Sequence, residues 1–191
     1  MIMDAWGQDV KGFSKKRISL KAVGIFVSFI VVMEILFLTH GIGYFSSGSM
    51  EPLLETGGFG IVSKWPYMTG NPKRGDIIIF DQEEIGRGVG KRVVGLPGEE
   101  VIIKDGCVYV DNQLLVEDYL PQGYRTSIEG VILRRFEVPE EGYFVLGDNR
   151  EESFDSRYWI EPYVYRRDIK GKLIWYTNHP ILKPIAMKRP D

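Results

Sequence analysis

Seventeen residues from Ala22 to Leu38, AVGIFVSFIVVMEILFL, are apolar except for Ser28 and Glu34. At about 1.5 Å per residue, this is the low end of what crosses a hydrocarbon core of about 30 Å. Continuing through Thr39-His40-Gly41-Ile42-Gly43-Tyr44-Phe45 supplies the missing length and ends on aromatics suited to an interface. The expected organisation is a basic tail over 1–21, a membrane anchor over 22–45 and a separate domain over 46–191. A cleaved leader would want an A-x-A-like small-residue site after the apolar run, and none is present. Lys11, Lys15, Lys16, Arg17 and Lys21 crowd the N-terminal flank. By the positive-inside bias the tail stays in the cytoplasm and the domain lies outside, on a single-pass anchor in the cell membrane. Glu34 falls near the outer end of the span, where it can reach for the interface.

The 191 residues are long enough for one main domain plus this appendage. Of the net charge of −2, residues 1–21 contribute +3, which leaves −5 for the remainder. An acidic domain argues against nucleic acid as a partner, since phosphate binding needs clustered Lys and Arg. One cysteine, Cys107, excludes an internal disulfide framework and any multi-cysteine metal site. Two histidines, His40 and His179, are too few for most zinc sites. Neither a metal nor a cofactor is implied.

Beyond Pro52 the pattern is β throughout. Candidate strands are Gly60–Lys64, Asp76–Phe80, Lys91–Gly95, Glu100–Lys104, Cys107–Val110, Gln113–Val116, Gly130–Glu137, Tyr143–Leu146 and Gly171–Tyr176. Asn71-Pro72, Arg74-Gly75, Pro97-Gly98, Asp105-Gly106, Asp111-Asn112 and Glu141-Gly142 punctuate them. Val101–Leu115 reads as two successive hairpins, the first across Asp105-Gly106. The expected fold is mainly β, a barrel or paired sheets, behind one N-terminal transmembrane helix. Trp65-Pro66-Tyr67-Met68 is predicted to be a loop, with its large side chains either in the core or against lipid.

Three segments can carry chemistry. Ser47-Gly48-Ser49-Met50-Glu51-Pro52 places a flexible glycine between two hydroxyls and a rigid proline at the exit, a bend suited to presenting a nucleophile. It equally suits a plain polar linker. A Ser-His-Asp triad needs a histidine in the domain, and neither His40 nor His179 is well placed. A desolvated lysine does the same work, because burial disfavours its charged form. Lys91 opens the strand of Lys91-Arg92-Val93-Val94-Gly95-Leu96-Pro97-Gly98-Glu99, and alternation sends Lys91 and Val93 to one face and Arg92 and Val94 to the other. Guarding a strand edge is the other use for such a lysine. Gly147-Asp148-Asn149-Arg150-Glu151-Glu152-Ser153-Phe154-Asp155-Ser156-Arg157 is dense in groups that could orient a catalytic pair, or could form a charged surface loop with an Asp155–Arg157 ion pair. Cys107, on a hairpin strand, reads as a small core residue.

In this order and at about this spacing, the anchor, SGSMEP, RGDIIIF (Arg74–Phe80), KRVVGLPGE and GDNREESFDSR resemble bacterial type I signal peptidases. The resemblance covers nearly the whole chain. It implies that Ser49 is the nucleophile and Lys91 the general base. Ser47 and the Ser49 N–H would form the oxyanion hole, Ser153 would orient the lysine amine, and Asp155 with Arg157 would hold the geometry. It also implies exported preproteins with signal peptides as substrates and the lipid bilayer as a partner. Leu53 stands where the family often has Thr, and Glu151-Glu152 where it often has Asp-Asn. A single span and compact domain look like the smaller, Gram-positive style members, and Lys91 separates the chain from the eukaryotic and archaeal branch, which has His there. Two alternatives stand beside this one: another Ser/Lys-clan processing protease, such as a self-cleaving repressor, or a non-catalytic anchored β-domain.

Overall fold

In a computed structural model, residues 19–129 and 133–178 are described. The basic residues before Ser19, most of the expected tail, and His179 lie outside them. The chain divides into two compact units, with the boundary between Leu38 and Thr39.

Helix α1 spans Leu20–Thr39 and exposes apolar side chains along its length. Its 20 residues are long and apolar enough to cross a bilayer. The expected continuation of the span to Phe45 is not what the backbone does. His40–Tyr44 is strand β1, paired antiparallel with β2 (Phe59–Ser63) from His40↔Ser63 to Tyr44↔Phe59. Glycines at 41 and 43 disfavour helix, and the backbone groups of β1 find their partners across the pair.

The second unit is mainly β, in two antiparallel sheets. Its further strands are β3 (Ile77–Gln82), β4 (Gly86–Gly95), β5 (Glu100–Lys104), β6 (Cys107–Val110), β7 (Gln113–Leu114), β8 (Leu133–Glu137), β9 (Gly142–Leu146), β10 (Val164–Tyr165) and β11 (Ile169–Thr177). One sheet runs β1-β2-β11-β3-β4-β9-β10 and the other β7-β6-β5-β8. The two hairpins over 101–115 are present. Asp105 and Gly106 turn the first, Asp111 and Asn112 the second, all with φ between 48° and 81°. Positive φ at both central residues is the mark of type I′ turns, which match strand twist.

The expected elements differ from the observed ones in three further places. β4 begins five residues before Lys91, because Gly86-Arg87-Gly88-Val89-Gly90 has too few apolar side chains to signal a strand yet pairs with β3. β10 has two residues and no pattern to detect. Within the expected loop at 65–68, Pro66–Thr69 is a short helix, α2. There Tyr67 is buried while Trp65 and Met68 are exposed, so core and surface share the cluster. Of the expected strand at 130–137, residues 130–132 lie outside the described part. Cys107 is only half-buried, at the turn end of its hairpin.

Val94, Val101, Val108, Phe136, Phe144 and Leu146 meet in a core fed by both sheets. A second core gathers Tyr67, Ile78, Phe80, Val93, Val145 and Trp159. A third, smaller one holds Met50, Leu54, Val62, Ile77 and Leu173 and ties the segment after Ser49 to the sheet. Burying a side chain like Met50 or Leu54 is worth about 2 kcal/mol each, enough to anchor a short turn.

Candidate active site

The SGSMEP bend is anchored from its C-terminal side. Met50 and Leu54 are buried, Glu51 N–H donates to the Gly48 carbonyl at 3.1 Å and Leu54 N–H to the Met50 carbonyl at 3.0 Å. The same bend is held from across the chain. Asn149 donates from its backbone N–H to the Ser49 carbonyl and from Nδ2 to the Gly48 carbonyl, each at 3.1 Å. Ser49 is thereby fixed against the loop that follows β9. The Ser47 and Ser49 hydroxyl oxygens lie 3.4 Å apart.

Strand alternation places Lys91 and Arg92 on opposite faces of β4, and both ends are buried. Lys91 is only 3% exposed, and its Nζ donates to Ser153 Oγ at 3.0 Å. Burial lowers the amine from an ordinary 10.5 to about 8, with Asp155 and Asp148 partly opposing the drop and the Arg157 guanidinium adding to it. A lysine guarding an exposed edge would show neither feature.

Gly147 connects the two halves of the site. A Cβ there would overlap both the Ser153 hydroxyl and the Ser49 carbonyl, so only glycine lets the strand end, the serine bend and Ser153 approach so closely. Asp155 accepts the Gly147 N–H at 2.9 Å and binds Arg157 through both oxygens, at 2.8 and 2.9 Å. Asp155 and Arg157 are fully buried, so the pair is no surface feature. Arg157 also donates to the Ser153 carbonyl at 3.3 Å, which steadies the hydroxyl beside Lys91.

Sequence reasoning missed a second buried network. Arg92 grips Asp148 with two bonds of 2.7 and 2.6 Å and lies 4.1 Å from the centre of the Tyr119 ring. Tyr119 donates to Glu117, and Glu117 accepts two bonds from the buried Arg150, which donates in turn to Thr126 and to the Gly147 carbonyl. The segment 117–126 is thus tied to the loop carrying Ser153. Arg92, Asp148 and Arg150 were inside quoted motifs and could have been suspected. Glu117 and Tyr119 carry no local signal, because the Arg150 they both meet lies some thirty residues away.

A cleft of about 840 Å³ joins these parts. Ser47, Ser49 and Lys91 line it, together with Phe45, Ile79, Ile85 and Val89. Asp155, Arg157 and Ser153 stand behind Lys91 rather than in the cleft. His40 sits at the start of β1 opposite Ser63, with Nδ1 2.9 Å from the Thr39 hydroxyl, and is not part of the lining.

A mainly β domain with a cleft lined by two serine hydroxyls and a buried amine carries the groups that an acyl-transfer hydrolase uses. Residues 17–177 match the family described as signal peptidase, peptidase S26. A signal peptidase I of Leptolyngbya laminosa is 35% identical over 172 residues, 83% of this chain and 79% of that one. A probable signal peptidase I-2 of Synechocystis is 36% identical over 137 residues, 68% of this chain, which spans 59% of that relative's length. A crystal structure of a signal peptidase I from Enterococcus faecalis is 34% identical, covering 55% of this chain and 97% of that one, with a TM-score of 0.44. The chain belongs to the signal peptidase family, peptidase S26. It is accordingly a peptidase hydrolase of a membrane-anchored family, and its one described apolar helix fits that setting.

Proposed function

We propose that this chain removes signal peptides from exported preproteins through a Ser49–Lys91 dyad. The observation that carries the reading is the amine of Lys91: buried, bonded to Ser153 and lowered to about 8, in the cleft that Ser49 also lines. An amine with that pKa is neutral in a substantial fraction of molecules near pH 8 and can accept a proton.

Neutral Lys91 Nζ takes the Ser49 proton as Ser49 Oγ attacks the scissile carbonyl. The Ser49 N–H and Ser47 O–H donate to the oxyanion, a role worth about 3–4 kcal/mol per donor. The protonated amine gives its proton to the leaving nitrogen as the C–N bond breaks, and the acyl-enzyme remains. A water molecule, deprotonated by the same amine, then releases the acid and regenerates Ser49. Ser153 and the Asp155–Arg157 pair are positioning groups in this scheme.

The substrate's apolar segment lies in a bilayer, and the chain is suited to meet it there. Apart from α1, Ile42, Ile61 and Trp175 are exposed and in register across β1, β2 and β11, so they form one apolar row on one face. Trp65 and Met68 are exposed too. This face and these side chains rest on the membrane, with the N-terminus cytoplasmic and the domain outside. Protease applied to intact protoplasts should then remove the domain and spare the tail.

The direct test is cleavage of a preprotein by the detergent-solubilised chain, with the cut mapped by mass spectrometry. A single cut at the end of the signal peptide, absent with Ser49→Ala, is the expected result. Cleavage by Ser49→Ala would refute the dyad.

A further inference from the structure

The lining of the cleft differs on the two sides of Lys91. Ile79, Ile85 and Val89 line it from β3, β4 and the turn between them, beside Lys170 of β11, and Phe45 adds to this apolar set. Lys170 pairs with Asp81 at 3.0 Å, while Asp81 also accepts the Gly88 N–H at 3.2 Å. Glu152 and Phe154 line it from the loop that follows β9, the strand on the other side of β4, as the two neighbours of the Ser153 that bonds Lys91.

Glu152 is the acidic side chain among the described residues that line the cleft. It is exposed, and no ion pair or side-chain hydrogen bond engages its carboxylate among the described residues. Phe154, exposed beside it, is stacked on Tyr158 with ring centres 6.3 Å apart and planes 13° from parallel. Arg157 already lies over the Tyr158 ring at 5.1 Å, so this aromatic pair holds one cation against its surface.

Resting on the reading of the cleft given above, we propose that Glu152 and Phe154 form a selective wall for the mature side of the substrate, favouring a basic residue just after the scissile bond. The apolar lining on the β3 side suits the signal-peptide part of the substrate. The chain on the other side of the bond must then leave past Glu152 and Phe154. An unpaired carboxylate attracts Lys or Arg and repels Asp or Glu, and the open Phe154 face adds a cation–π contact.

Three peptides that differ only in the residue after the scissile bond, Lys, Gln or Glu, are given to the full-length chain in detergent. Expected is Lys over Gln over Glu in kcat/KM, with about ten-fold between the extremes at low ionic strength. In about 1 M salt, where the screening length falls to about 3 Å, most of that preference should go. Glu152→Lys should invert the order, and Phe154→Ala should shrink the ratio about two- to three-fold. Equal turnover of the Lys and Glu peptides by the parent, or the parental order in Glu152→Lys, overturns the selective wall and leaves the dyad standing. Cleavage of all three by Ser49→Ala, or of none by the parent, overturns both.

Discussion

Replacing Lys91 with Met keeps the length of the side chain and removes its charge. In the parent, burial brings the amine from 10.5 to about 8. That difference of about 2.5 units makes the protonated amine cost the folded state about 3 kcal/mol below pH 8. Between pH 8 and 10.5 the unfolded chain binds more protons than the folded one, so parental stability should rise with pH across that window. Methionine carries no such cost but leaves the Ser153 hydroxyl without its partner, a loss of about 1 kcal/mol. At pH 7 the Lys91→Met variant should therefore be about 2 kcal/mol more stable than the parent. For a chain of this size that is a rise in Tm of about 4–8 °C. The advantage should disappear by about pH 10.5. Thermal melts of the detergent-solubilised parent and variant at pH 7, 9 and 10.5 measure this directly. Preprotein cleavage should be lost in the variant at every pH, while in the parent it should climb through about pH 8 and level off near pH 9. A variant less stable than the parent at pH 7, by the same margin at pH 10.5, would show that the amine is charged and well paired in the fold. The reasoning from burial to a neutral base would then be refuted.

Ser47→Ala should lower kcat by about 10²–10³ with KM and the melting curve little changed, read by steady-state kinetics. Gly147→Ala should abolish turnover and destabilise the domain, because the added methyl meets the Ser49 carbonyl as well as the Ser153 hydroxyl and backbone cannot step aside. Circular dichroism and preprotein cleavage report the two effects. Glu117→Gln leaves the fully buried side chain of Arg150 without its counter-charge. It should destabilise the chain by about 3–5 kcal/mol, seen in thermal melts, with Glu117→Asp recovering part of the loss.

The loop after β9 shows how far chemistry written in one segment reaches. Gly147 to Arg157 holds the Ser153 hydroxyl that bonds Lys91 and the charges of Asp148, Asp155 and Arg157 that act on its amine, and Asp155 and Arg157 lie two positions apart, so their pairing could be read from spacing. The partners of Arg150 could not, because nothing near Glu117 or Tyr119 announces a buried cation. The hairpins over 101–115 were equally local, set by Asp105-Gly106 and Asp111-Asn112. The strand at His40–Tyr44 was not, since two glycines and a tyrosine after an apolar helix look like the end of a span until β2 lies beside them.

Local pattern therefore determined the apolar helix, the β character of the domain, the hairpin turns and the residue types able to do the chemistry. These depend on periodicity, turn conformation and side-chain functional groups, which a short stretch of chain carries by itself. Tertiary structure alone decided that Lys91 is buried and not a guard on a strand edge. It also decided that Gly147 permits the close approach of Ser49 and Ser153, and that Glu117 neutralises Arg150. A pKa, a close approach and a buried charge pair each depend on what surrounds a group in space, and those surroundings come from strands and loops far apart in the chain.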